Sequence, residues 1–177
     1  MRGYSANVQK ALEVILWFAE KSPSVDIYHV VKGAFYADKS HIRKHGRPIT
    51  GDNYIADTFG PLPKVIYGIL RRDPFEILAL QTNGDIPARL EHDVYVKGAR
   101  GPNLALLSKS DEAALEEGWQ FVKDKSFNDL YELTHSDPAY LRANGGKMDY
   151  RDFLDENDEN YAEKAAYIEE TAASAVF

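Results

Sequence analysis

The chain has 177 residues, 44% hydrophobic and 12% aromatic, enough apolar surface for one cored domain, which excludes a disordered chain. With no cysteine, disulfides, thiolate nucleophiles and cysteine zinc sites are excluded and a reducing cytoplasm is the expected compartment; no apolar run approaches the ~18 residues of a membrane span, and the N-terminus has no apolar stretch and cleavage site of a signal peptide. The net charge of -7 is uneven, with 15 basic and 11 acidic side chains in residues 1–110 against 6 and 17 in residues 111–177, a balance that argues against general nucleic-acid binding.

Val8, Ala11, Leu12, Ile15, Leu16 and Ala19 recur at helical spacing and predict a helix from about Ser5 to Glu20. Ser22-Pro23-Ser24 ends it, because proline cannot continue a helix. Ile27, Val30, Val31, Ala34, Phe35 and Ile42 mark a second helix over Asp26–Lys44, with Gly46 as its stop. After the turn Arg47–Asp52, residues 53–57 read as a short strand. A third helix is expected from Pro61 to about Arg72, since proline loses nothing at a first helical position. Residues 74–88 fit strand or helix, with a turn at Asn83-Gly84. The alternation of Leu90, His92, Val94 and Val96 predicts a strand over 90–96, and Leu104–Leu107 a third strand after a Gly-Pro turn.

Helix starts are plainer in the second part. Ser108 and Ser126 each stand three residues before an aspartate, a capping signature that places helices at about 109–124 and 127–135. Asp137-Pro138 opens a short helix, and Asp149 caps a turn carrying Phe153 and Leu154. The last helix is expected over 158–173, fraying at its end. The expected fold is therefore α+β and mainly helical, with a small antiparallel β-sheet of about three strands.

Two stretches carry a resemblance. Phe35-Tyr36-Ala37-Asp38 continues through His41, His45 and Gly46-Arg47-Pro48-Ile49-Thr50-Gly51-Asp52 to Tyr54 and Phe59-Gly60-Pro61-Leu62-Pro63. This resembles the signature of the Panacea domain, also called the SocA-like or phage GepA-like family. Leu107-Ser108-Lys109-Ser110-Asp111 and Thr134-His135-Ser136-Asp137-Pro138-Ala139-Tyr140 are similar to its second motif, with tyrosine where tryptophan is common in the family. The resemblance implies a Panacea-like domain over 1–155, leaving 156–177 as an acidic C-terminal helix or tail. It also implies an antitoxin that neutralises, by direct binding, a cognate protein toxin encoded by a neighbouring gene. Some family members instead deliver a toxin to a Clp-type protease, and an adaptor of that kind is the alternative, with the acidic tail 156–177 as its second binding surface.

The residues themselves leave several readings open. His41 and His45, four apart on one helix face, with Asp38 three residues before His41, could hold a metal for a hydrolase. They lack the adjacent glutamate of a metalloprotease helix, and histidines near a helix C-terminus also answer its partial negative charge. Arg47, Thr50, Gly51 and Asp52 could grip an anion or simply hydrogen-bond their own turn. His135 and Asp137 could position a general base, or serve as a junction residue and a helix cap. No nucleophile elbow, dinucleotide fingerprint or phosphate loop is present, so neither an enzyme nor a cofactor is expected. Tyr28, Phe35, Tyr36, Tyr54, Phe59 and Tyr67 cluster around the first motif and belong to types enriched at interface hot spots. The expected toxin contacts are Asp38, His41, Arg47, Thr50, Asp52, Tyr54 and Phe59.

Overall fold

Asn7 caps the first helix, α1 (Val8–Ala19), by accepting from the Lys10 amide. Every residue of α1 from Lys10 to Phe18 is buried, as expected of a helix that is apolar nearly all round. The computed structural model describes residues 4–82 and 85–172. The longest helix, α2 (Ile27–His45), is capped by Asp26 and stops at Gly46, which takes the left-handed φ of 68°. Arg43, Lys44 and His45 fill its last turn, where cations meet the negative end of the helix.

The strands β1 (Tyr54–Asp57) and β2 (Gly60–Pro63) follow as an antiparallel hairpin, then α3 (Lys64–Leu70) and α4 (Pro74–Ala79). A second hairpin pairs β3 (Ala88–Glu91) with β4 (Tyr95–Gly98). The chain closes with α5 (Lys109–Val122), α6 (Phe127–His135), α7 (Pro138–Ala143) and α8 (Tyr161–Thr171), with 3-10 turns at Leu104–Leu106 and Tyr150–Phe153. The fold is mainly helical α+β, and the small sheet resolves into two separate two-stranded hairpins rather than three strands.

Three elements differ from expectation for physical reasons. Pro61 lies in β2, not at a helix start, and α3 begins at Lys64. Both strands of a two-stranded ribbon are edges, where a missing N–H is tolerated. The expected strand over 90–96 is broken by His92 and Asp93, whose φ values of 53° and 58° reverse the chain. Leu104–Leu106 is a 3-10 turn held by the Asn103 side chain accepting from the Ala105 amide. Residues 74–79 resolve to helix, with Asp73 capping and Pro74 in the first turn. The turn at Asn83-Gly84 and the chain end beyond 172 lie outside the described residues.

The core has two parts with α2 between them. Around α1, Leu12, Ile15 and Phe18 pack with Val30, Ala34, Ile66, Ile69 and Leu115. On the other side Phe35, Ile42, Tyr54 and Phe153 pack with Tyr4, Met148 and, from α8, Ile168. No helix among the described residues is long and apolar enough to cross a membrane.

Candidate functional site

The turn that follows α2 is held by two buried carboxylates. Asp38 accepts from the Ile49 amide at 2.6 Å and the Tyr54 hydroxyl at 2.8 Å. Burial pushes its pKa up to about 6, against the pull of those two hydrogen bonds. Asp52 accepts from the amides of Val65 and Ile66, each at 2.9 Å. Pro63, at the N-cap of α3, provides no side-chain bond, so Asp52 satisfies these first-turn donors from a distance. Burial raises the Asp52 pKa to about 7 although the two amides lower it. The Thr50 carbonyl accepts from the Asn7 amide at 2.8 Å, tying the turn to α1.

This sets a pH dependence. The folded pKa of Asp52, about 7, lies above its ordinary 3.8, so the folded state holds this proton more tightly than the unfolded chain. Its contribution to stability is fully present below about pH 4 and is lost as pH rises through about 7. Asp38 acts in the same sense through about 6. His41, lowered to about 4 from 6.5, opposes them: its contribution is present above 6.5 and lost as pH falls. Asp52→Asn removes the Asp52 titration and the like-charge repulsion between Asp52 and Asp38, two changes of the same sign. The stability of wild type relative to this variant should therefore fall between pH 5 and pH 8 in urea unfolding, and an equal gap at both values would refute the assignment.

The two sequence motifs meet at His41, Arg47 and Asp111. Fully buried His41 donates from Nδ1 to the Arg47 carbonyl at 2.8 Å. Its Nε2 accepts from the Ser110 hydroxyl at 3.0 Å and lies 3.3 Å from Asp111. Burial lowers the His41 pKa, so the ring is neutral. Asp111 closes a capping box with Ser108 at the start of α5. It also pairs with Lys10 of α1 at 2.7 Å and with Arg47 at 3.5 Å. Burial raises its pKa, but the Lys10 and Ser108 hydrogen bonds outweigh this and leave it below the ordinary value.

Of the seven expected contact residues, Asp38, His41, Thr50, Asp52 and Tyr54 are at most 2% exposed. Arg47 keeps about a third of its side chain in water, at 32%, and Phe59 is 57% exposed. The oxygens of Asp38 and the ring nitrogens of His41 are thus engaged with other partners, although the His41 and His45 rings lie 4.6 Å apart. Among the described residues, no group of three or more histidines and carboxylates is placed to hold a metal. His135 and Asp137 do not form a pair. The His135 nitrogens face the carbonyls of Tyr131 and Thr58, while Asp137 caps α7 and binds Lys39.

Phe59, in the β1–β2 turn, opens onto an aromatic face that sequence reasoning only half located. Its ring lies 6.3 Å from Phe127, which lies 4.4 Å from Tyr28. Along α6, Tyr131 is 6.1 Å from Phe127 and stacks on His135 at 3.7 Å; His135 in turn lies 4.6 Å from Tyr140. The signal for the missed half was present: Phe127, Tyr131 and His135 recur every four residues, one side of a helix. A cavity of about 360 Å³ opens beside this face, lined by Tyr28, Lys32, Asp57, Phe59 and Phe127 among others.

The family model described as antitoxin SocA-like, Panacea domain, matches residues 30–140, well over half of the chain. The chain belongs to this family. No curated protein and no solved structure matches it. Membership associates this Panacea domain with a toxin–antitoxin role and hence with a toxin partner. The matched stretch contains all seven expected contact residues, Asp111 and the aromatic face except Tyr28; α1, which brings Lys10 to Asp111, and α8 lie outside it.

Proposed function

We propose that this chain is the antitoxin of a toxin–antitoxin pair and neutralises its cognate protein toxin by binding it directly, through the aromatic face around Phe59. The observation that carries the reading is a continuous run of rings, exposed at Phe59 and Phe127 and half-buried at Tyr131 and His135, on a domain of an antitoxin family. Exposed aromatic side chains that gather rather than scatter mark interaction surfaces. In this reading the buried residues Asp38, Thr50, Asp52 and Tyr54 act indirectly, by fixing the hairpin whose turn presents Phe59.

Co-expression with each neighbouring open reading frame, scored for growth and copurification, tests the function. A neighbour that is toxic alone, harmless with this chain and copurified by it supports direct binding. If no neighbour is toxic or none is captured, the reading fails. Phe59→Ala then tests the surface. The side chain is largely in water, so stability should stay within about 0.5 kcal/mol. Toxin affinity should fall about 30-fold, the effect of a hot-spot residue contributing about 2 kcal/mol. Unchanged affinity would move the interface elsewhere.

A further inference from the structure

Three lysines among the described residues are buried, and the fold treats them differently. Lys10 is paired with Asp111 and Lys39 with Asp137. Lys32, on α2 and only 1% exposed, donates to the Pro61 carbonyl at 2.9 Å and lies over the Tyr28 ring at 4.9 Å. Among the described residues no carboxylate comes within ion-pair distance of its Nζ, and Asp57 acts on it only from farther away. An ammonium has three protons to donate, and burying one without a counter-charge is costly. The position is nevertheless built. Gly60 has φ of 94°, and a Cβ there would come within 2.9 Å of the Lys32 Nζ and 2.5 Å of the Thr134 hydroxyl.

Lys32 also lines the cavity beside the aromatic face, with Arg71 as a second cation and Asp57 as the anion. The remainder of the lining is mainly apolar, from Val31, Leu62 and the rings of Tyr28, Phe59 and Phe127. A partner that covers Phe59 and Phe127 removes the remaining water from this cavity. An apolar cover would strand the ammonium, whereas a carboxylate would gain from the low local dielectric.

We infer that the cavity receives an aspartate or glutamate side chain of the toxin, flanked by apolar residues, whose carboxylate pairs with Lys32 while its neighbours pack against Phe59 and Phe127. This rests on the direct-binding reading above. It has a consequence that simple apolar docking lacks. Burial lowers the free Lys32 pKa to about 7, and a carboxylate partner raises it again, so binding above pH 7 takes up a proton. The charged and titratable groups sharing the cavity are Asp57 from β1, Arg71 after α3, Tyr67 of α3 and Tyr28 of α2, with His135 of α6 reaching the adjoining Thr58 carbonyl.

The test is calorimetry of the full chain with the toxin identified by copurification, at pH 8 in buffers of different ionisation enthalpy. Wild type should take up close to one proton, and its affinity should fall by about tenfold per pH unit between 7.5 and 9. Lys32→Met fills the same space without charge. It should melt no lower than wild type, bind at least about tenfold more weakly at pH 7, and show neither proton uptake nor pH dependence. Phe59→Ala should bind more weakly yet still take up the proton. Equal affinity of wild type and Lys32→Met, or no proton uptake by wild type, overturns the inference while direct binding stands. Absence of toxin binding by wild type removes direct binding and this site with it.

Discussion

Replacing Asp111 with alanine should lower the unfolding free energy by about 3–5 kcal/mol, and with it the melting temperature by roughly 6–20 °C for a domain of this size. The magnitude follows from burial. An exposed ion pair contributes about 0–1 kcal/mol, but neither Asp111 nor Lys10 is more than 8% exposed at the side chain. Truncation leaves the Lys10 ammonium without its anion inside the protein, and that uncompensated charge accounts for most of the loss. It also removes the acceptor for the Ser108 amide at 2.8 Å, one half of the α5 capping box. Asp111→Asn should be intermediate, since an amide oxygen still accepts from Ser108 while the charge is gone. Urea unfolding at pH 7 measures both. A loss below about 1 kcal/mol for Asp111→Ala would mean that Lys10 swings out to water, and the joint between the two motifs would not be the fastening described. The acid side gives a second check. The Asp111 pKa is lowered in the folded state, so its contribution is present above its ordinary 3.8 and disappears as pH falls through the folded value.

The helices were legible because their ends are written locally. Ser108 with Asp111, Ser126 with Asp129, and Asp137 before Pro138 are all found capping where the sequence placed them. The strands were less legible because their signal is not local. Leu90 and Val96 alternate like one strand but pair with each other across the turn at His92 and Asp93. The site divides along the same line. Asp38, His41 and Asp52 look in sequence like groups offered to a ligand. Only the tertiary fold shows that the donors they meet are Ile49, Ser110, Val65 and Ile66. Phe59 could be picked out because it stands in the first motif, while its neighbour Phe127 arrives from a helix 68 residues later. Lys32 could not be picked out. Between Val31 and Gly33 on an amphipathic helix it reads as part of the solvated face, and the burial that makes it unusual comes from Pro61 and Gly60 of the hairpin.

Gly118→Ala tests the closeness of α2 and α5 on which the cluster of His41, Arg47 and Asp111 depends. At an ordinary helical position this change stabilises by about 1 kcal/mol, because glycine is a poor helix former. Here it should destabilise by about 1–3 kcal/mol, lowering the melting temperature by roughly 2–12 °C. A Cβ on Gly118 would stand 2.3 Å from the Gly33 carbonyl oxygen and 3.0 Å from both the backbone nitrogen and the Cβ of Ala37. The obstacle is α2 backbone, which cannot turn aside as a side chain can. Gly33 cannot back away freely either, because Phe18 packs against it so tightly that a Cβ there would lie 2.7 Å from the ring. The relief left is separation of α5 from α2. That movement would draw Ser110 and Asp111 away from His41, Arg47 and Lys10, so Gly118→Ala and Asp111→Ala should not be independent. The double variant Gly118→Ala, Asp111→Ala should lose less stability than the two single losses added together, because each disrupts the same joint. Additive losses would show that the α2–α5 contact and the Asp111 cluster yield separately, and a gain from Gly118→Ala alone would show that the helices stand farther apart than described.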